Sequence, residues 1–349
     1  MQRKVLVTRD IGEDAMTIIK NEAELDVIVW PEDRTADRSW ILEHIAGCTG
    51  IVVMFSDKVD DELVTRAGPS LKVVSTMSVG YEHISLPAIA KYGIKLGYTP
   101  DVLTDAVADI AVMLALMASR NAARGLSVVQ SGQWPATGWA PFGFCGPQLG
   151  LPGSTTKSFT VGFLGFGRIS QATVRRLIPF GMTRVLYTDS GRGNDRSAED
   201  AKLVRDYEAF GQLREVKRVD LNMLASESDL VVLLAPGGDS TYHIISTPFL
   251  KRMKRTSILV NPGRGSLVDS NALAEALNAG WLYAAGLDVV DGEPNVTSDH
   301  PLVKCPRATI LPHVGSATTE TRAAMASLAA QNLVEGVMGR PLKVEVNLG

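Results

Sequence analysis

The sequence predicts an α/β protein built from two doubly wound parallel-sheet domains, and three observations carry that expectation. Short apolar runs alternate with helical patterns from Lys4 to Gly97, a second series of the same kind begins at Thr160, and a long apolar helix separates the two. Alternation of strand and helix at this spacing implies parallel strands joined by crossover helices that cover both faces of a sheet. A chain of 349 residues is longer than one typical domain and suits two.

Taken in order, residues 4–8, 25–30, 50–55, 71–76 and 94–97 read as strands, and residues 13–20, 38–45, 60–67 and 87–91 carry helical spacing between them. Residues 106–123 then form a nearly uncharged helical pattern (Ile110, Met113, Leu114, Met117). A helix apolar almost all round is buried, and here it reads as the seam between two domains. Residues 131–158 lack periodicity yet hold Trp134, Trp139, Phe142 and Phe144. Bulky aromatics clustered in a long loop mark a contact surface, so the expectation is an arm that embraces a second subunit. The second series places strands at 160–164, 184–188, 230–234, 257–261, 283–287 and 309–311, and the chain closes on an alanine-rich helical pattern over 318–338.

Composition excludes several classes. An apolar fraction of 45% with 21% charged residues is that of an ordinary globular chain, and a net charge of −3 gives no electrostatic reason to expect nucleic acid or an anionic membrane as partner. No apolar stretch approaches the roughly 20 residues of a membrane span. Cys48, Cys145 and Cys305 are few and far apart, so free thiols in a reducing compartment, with no metal site, are expected; a cytoplasmic location follows.

The segment Gly165-Phe-Gly-Arg-Ile-Ser170 directly follows a predicted strand and opens a predicted helix. Its first glycine permits a tight turn and its second lets the backbone approach a pyrophosphate, which the helix N-terminus then meets with amide donors and a positive dipole. The third glycine of such loops is replaced here by Ser170, which is small enough to keep strand and helix close. Asp189 ends the next strand, about twenty residues on, where a carboxylate accepts bonds from ribose hydroxyls and disfavours a 2′-phosphate. Ser190, Gly191, Arg192 and Arg196 follow it, and arginine is the side chain best suited to a phosphate. Both NADH and NADPH therefore stay open as cofactors.

Three later segments each follow an apolar run: Asn261-Pro-Gly-Arg-Gly, Asp291-Gly-Glu-Pro and Leu311-Pro-His-Val-Gly-Ser. Arg264 offers a planar guanidinium able to grip the carboxylate of an α-keto acid and polarise the neighbouring carbonyl. His313 stands at a predicted strand end, where open α/β sheets bind ligands, and is suited to protonate that carbonyl oxygen. Glu293 would bond to the far ring nitrogen and fix the tautomer. An isolated histidine is usually a bland residue, and His44, His83, His243 and His300 are read that way. Asp288, at the end of the strand in Ala284-Ala-Gly-Leu-Asp, reads either as a helix cap or as a partner for the nicotinamide carboxamide. In the first half, Val79 and Gly80 follow a strand with amides placed to meet a carboxylate.

These motifs resemble the D-isomer-specific 2-hydroxyacid dehydrogenase family along nearly the whole chain. Ser75-Thr-Met-Ser-Val-Gly80, Gly97-Tyr-Thr-Pro-Asp-Val-Leu-Thr104 and Ile310-Leu-Pro-His-Val-Gly-Ser-Ala-Thr318 are most similar to the glyoxylate/hydroxypyruvate reductase subgroup. The resemblance implies a flavodoxin-like substrate domain over 1–106 and 317–349 around a Rossmann cofactor domain over 107–316, with a dimerisation arm over about 121–158. It implies catalytic roles for Arg264, Glu293 and His313, substrate contacts from Val79, Gly80, Ser316 and Trp139, and cofactor contacts from Gly165, Gly167, Arg168, Ile169, Asp189, Ser190, Arg192, Pro236, Asp288 and His313. It further implies NADPH or NADH as cofactor, glyoxylate and hydroxypyruvate as substrates, and a homodimer. Other D-2-hydroxyacid dehydrogenases, and a dinucleotide-sensing corepressor of the same fold, are the alternatives. Many NADPH-preferring members carry a basic residue where this chain has Asp189-Ser190.

Overall fold

The computed structural model describes residues 2–150, 159–189, 197–208 and 213–348, and the chain forms two compact units, Met1–Leu103 with Ser316–Gly349, and Thr104–Gly315. These divisions lie a few residues from the expected ones, because the long helix starts at Thr104 and a cut at 106 would fall inside its first turn.

The first unit holds β1 (Arg3–Val7), α1 (Glu13–Lys20), β2 (Leu25–Val29), α2 (Arg38–His44), β3 (Gly50–Val53), α3 (Asp61–Ala67), β4 (Val73–Thr76), α4 (Leu86–Lys91) and β5 (Lys95–Gly97). All strand pairs are parallel, in the order β2-β1-β3-β4-β5. β3 and β4 are buried at every position, so neither alternates apolar with exposed residues, and β4 ends on the buried hydroxyls of Ser75 and Thr76.

The second unit holds α5 (Thr104–Ser119), α6 (Ala122–Gln130), α7 (Trp134–Thr137), β6 (Thr160–Leu164), α8 (Arg168–Leu177), β7 (Arg184–Thr188), α9 (Ser197–Glu208), β8 (Glu215–Arg218), α10 (Leu221–Glu227), β9 (Leu230–Leu233), α11 (Thr247–Leu250), β10 (Ile258–Asn261), α12 (Ser270–Ala279), β11 (Ala284–Leu287) and β12 (Ala308–Ile310). Its sheet is parallel in the order β12-β11-β10-β9-β6-β7-β8. The strand order reverses beside β6, and such a switch point opens a crevice at the carboxyl ends of the strands. α5 packs on α8, β10 and β11. The single helix expected over 106–123 is two helices bent by 69°, because Asn121 takes a left-handed conformation (φ 53°) and donates to the carbonyl of Phe144 and to the Tyr283 hydroxyl.

A last helix, α13 (Thr319–Val337), belongs to the first unit and is capped by the Thr318 hydroxyl. It lies so close to the sheet that a Cβ at Gly336 would come within 2.6 Å of Val73, and one at Gly50 within 2.7 Å of Leu333. No single helix is long and apolar enough to cross a membrane among the described residues. All three cysteines are free thiols, and burial pushes that of Cys48 up to about 11.

Candidate active site

The carboxyl ends of β10, β11 and β12 carry three of the residues singled out above. Arg264 follows β10, Glu293 lies in the loop after β11, and His313 follows β12. His313 and Glu293 meet directly, with Nδ1 of the imidazole 2.8 Å from Oε1 of the carboxylate. Both side chains are half-buried. The second Glu293 oxygen accepts from the Val290 N–H at 3.3 Å, which fixes the carboxylate at the base of its own loop. The Glu293–Pro294 peptide bond is cis.

The Arg264 turn is built on glycines that permit close backbone contact. A Cβ at Gly263 would sit 2.7 Å from the Leu233 carbonyl oxygen, and one at Gly265 would sit 2.2 Å from the Val290 backbone. Gly265 therefore seats the Arg264 turn directly against the loop that bears Glu293. Asn261 reinforces the turn, since its side-chain amide donates to the Arg264 carbonyl at 2.8 Å and its carbonyl accepts from the Gly263 N–H at 3.1 Å. The Arg264 Nη1 donates to the Gly263 carbonyl.

Asp288 is buried, and its two oxygens accept from the N–H groups of Val314 at 2.8 Å and Gly315 at 2.7 Å. Its carbonyl accepts from the His313 N–H at 2.8 Å. Burial pushes the Asp288 carboxyl above the usual carboxylate range, against the pull of those two hydrogen bonds. His313 itself holds a left-handed backbone (φ 54°), an uncommon state outside glycine, though histidine adopts it more readily than most residues, and one that clusters at functional sites. Asp288 thus anchors the loop that presents His313, rather than capping a helix; sequence inspection offers no signal for hydrogen bonds to amides 26 and 27 residues away. A second tie was also missed. His243, read as bland, has Nε2 2.9 Å from Asp291 Oδ2, stacks on Tyr242, and donates its backbone N–H to Ser266, so it links the Arg264 turn to the Glu293 loop.

The glycine loop lies at the end of β6, next to the switch point. Gly165 has φ 86° and a Cβ there would fall 2.8 Å from the Ala235 nitrogen, whereas a Cβ at Gly167 would meet nothing within 4 Å. Gly167 is the N-cap of α8 and makes no side-chain cap hydrogen bond, so the helix start is bordered by open space where a Cβ would otherwise stand. This is the arrangement a pyrophosphate requires. Ser170, in place of the third glycine, is buried and donates its hydroxyl to the Gly165 carbonyl at 2.7 Å, closing the loop onto the helix. Arg168 and Ile169 form the first turn of α8, and Pro236 is exposed beyond β9. Asp189 sits one residue past β7, and its Oδ1 is 2.6 Å from Nη2 of Arg218, a residue that sequence reading passed over. Ser190, Gly191, Arg192 and Arg196 lie outside the described residues.

In the first unit, the loop after β4 is held by side chains. The Thr76 hydroxyl lies 2.7 Å from that of Ser78, which donates to the Gly80 carbonyl at 2.6 Å, and Val79 lies between them. Ser316 opens the C-terminal segment of that unit. Trp139 is 88% exposed and Phe142 89%, so the aromatic segment covers no core of its own unit at these positions. Among the described residues no group of three or more His, Cys, Asp or Glu is arranged to hold a metal ion.

Known proteins resemble this chain along nearly its whole length. The model of the D-isomer specific 2-hydroxyacid dehydrogenase NAD binding domain matches residues 112–315. The human glyoxylate reductase/hydroxypyruvate reductase is 39% identical over 345 residues, covering 99% of this chain and 98% of its own, and a glyoxylate reductase of Thermofilum pendens is 36% identical, covering 99% and 94%. Among solved structures, the NADPH-dependent glyoxylate/hydroxypyruvate reductase of Sinorhizobium meliloti in complex with NADP and malonate superposes with a TM-score of 0.78 at 28% identity, covering 100% of this chain and 98% of its own. The chain therefore belongs to the D-isomer-specific 2-hydroxyacid dehydrogenase family, as an oxidoreductase that uses NAD(P)H.

Proposed function

We propose that this protein reduces glyoxylate to glycolate and hydroxypyruvate to D-glycerate. The observation that carries the reading is the 2.8 Å contact between His313 and Glu293 at the strand ends, in the loop seated against the Arg264 turn. With Nδ1 engaged by the carboxylate, Nε2 is the ring atom that would deliver a proton to the substrate's carbonyl oxygen. When bound, the reduced nicotinamide supplies the hydride that adds to the carbonyl carbon. Arg264 would clamp the substrate carboxylate and polarise the carbonyl, which converts an encounter into an oriented complex. Val79, Gly80, Ser316 and Trp139 are the further substrate ligands in this reading. Gly165, Gly167, Arg168 and Ile169 would hold the pyrophosphate, and Asp189, Pro236 and Asp288 would contact the rest of the dinucleotide.

The names of the human and archaeal relatives support the substrate class, and the malonate in the Sinorhizobium meliloti complex is itself a small carboxylate. The exposed Trp139 and Phe142 support a homodimer, since apolar patches of that kind mark contact surfaces; sedimentation at the mass of one 37.4 kDa chain would count against it. A cytoplasmic location completes the proposal, and recovery of the protein in an organelle fraction would overturn that part.

The test is a spectrophotometric matrix of glyoxylate and hydroxypyruvate against NADPH and NADH. Rapid oxidation of at least one nucleotide with both acids is expected. Faster turnover of a different 2-keto acid would move the substrate elsewhere in the family, and binding of dinucleotide without turnover of any keto acid would point to a sensor.

A further inference from the structure

We propose that Arg218 selects the cofactor: its guanidinium, oriented by Asp189, is the cation that accepts the 2′-phosphate of NADPH. The proposal rests on the reading that the loop after β6 holds the dinucleotide. Strand register places the pair beside that loop. Leu164 pairs with Thr188, the Gly165 N–H donates to the Thr188 carbonyl at 2.8 Å, and Asp189 follows at once. On the other side of β7, Tyr187 pairs with Arg218 at the end of β8, and the Val219 N–H donates to the Tyr187 carbonyl at 2.8 Å. Arg218 and Asp189 thus face each other across neighbouring strand ends, 2.6 Å apart, Asp189 one strand and Arg218 two strands from the glycine loop.

A bare carboxylate at the end of this strand favours ribose hydroxyls and repels a 2′-phosphate. Here the carboxylate is paired, so much of that repulsion is cancelled. A guanidinium carries five N–H donors in a planar fork, and a single contact to Asp189 leaves donors for a phosphate. The Arg218 side chain is 45% exposed, so the incoming group can reach it. An ion pair this exposed contributes little to stability, so a purely structural role is a poor account of the arrangement. Arg218 and Asp189 also line one cavity of about 520 Å³, in which the cations Arg214, Lys217 and Arg218 stand against the carboxylates Asp189, Asp200 and Glu215, so the site has room for a ligand group and a guanidinium at its wall.

The experiment is a fluorescence titration of the full chain with NADPH and with NADH, in the absence of keto acid, for the wild type, Arg218→Ala and Asp189→Ala. Loss of a charge-assisted contact should raise the Kd for NADPH about tenfold or more in Arg218→Ala. The Kd for NADH should change by less than about threefold, the scale of an exposed pair. Asp189→Ala should weaken NADH, and should weaken NADPH by less than Arg218→Ala does, because the guanidinium stays but is no longer held. Arg218→Ala that treats the two nucleotides alike overturns the proposal and leaves the reductase reading standing, as does a wild type that binds NADH but not NADPH. A wild type that binds neither nucleotide removes both.

Discussion

Replacing Asp288 with Asn should cost activity well before it costs the fold. The side chain is 1% exposed, and each carboxylate oxygen accepts one backbone N–H, from Val314 at 2.8 Å and from Gly315 at 2.7 Å. An asparagine can accept only one of these, and its amide group would face the other donor. Losing one charge-assisted bond costs about 1.5–3 kcal/mol. Burial acts in the opposite sense, because it holds the Asp288 carboxyl above its ordinary 3.8 and so penalises the ionised form that Asn never adopts. The two effects partly offset, which leaves a net loss of about 1–2 kcal/mol near neutral pH. The sign of the pH dependence follows from the raised value. As pH rises from 3.8 through the folded-state value, the unfolded chain releases its proton first, so the wild type loses stability across that window and the variant does not. The gap between them should narrow as pH rises. Activity should suffer more, since the lost bond lies next to His313 and a displacement of about 1 Å can cost on the order of 100-fold. Urea unfolding over a pH series, paired with steady-state kcat, reads both effects. A folded variant with wild-type kcat, or a stability gap that widens with pH, would refute the reasoning.

Three further perturbations test other parts of the structure. Gly165→Ala places an L side chain at φ 86° with its Cβ 2.8 Å from the Ala235 nitrogen; the left-handed conformation alone costs about 1–2 kcal/mol, so calorimetry should show a lower Tm and titration a weaker dinucleotide, and unaltered affinity would count against the loop's role. Asp57→Asn should keep both of its hydrogen bonds, because the Thr8 hydroxyl at 2.5 Å and the Met54 N–H at 2.8 Å meet the same oxygen. Burial raises the Asp57 carboxyl, so the wild type should lose stability as pH rises above 3.8 while the variant does not, and parallel urea midpoints over that range would contradict the assignment. Glu293→Gln preserves an acceptor for His313 but removes the charge, so kcat should fall about 10- to 100-fold with little change in KM, the scale of a charge-assisted bond; an unaltered kcat would sink the pairing.

The legible parts of this chain are those where one residue's neighbours in sequence are also its neighbours in energy. β6 and β7 coincide with the runs read at 160–164 and 184–188, because strands buried on both faces leave continuous apolar signatures. β8 was not foreseen: Glu215-Val-Lys-Arg218 is a polar strand with no neighbour on its outer side among the described strands, and no apolar run announces it. The break between α5 and α6 was hidden for a different reason, since Asn121 leaves the helix for bonds to Phe144 and Tyr283, neither of them close in sequence. At the site, His313, Glu293 and Arg264 stood out because each occupies a turn after an apolar run. The ties that position them did not, because Asp288 with Val314 and Gly315, and His243 with Asp291, join residues far apart in sequence; Asp189 also stood out by itself, but its pairing with Arg218 did not.

All of the chemistry proposed here passes through one imidazole, and His313→Ala tests it most directly. Positioned acid–base catalysis is worth about 10²–10⁴-fold, so kcat for glyoxylate should fall by that factor, far more than the Kd of the reduced nucleotide, to which His313 is one contact among several, rises on the same sample. Turnover at the wild-type rate by a variant that still binds its nucleotide would show that the proton comes from elsewhere.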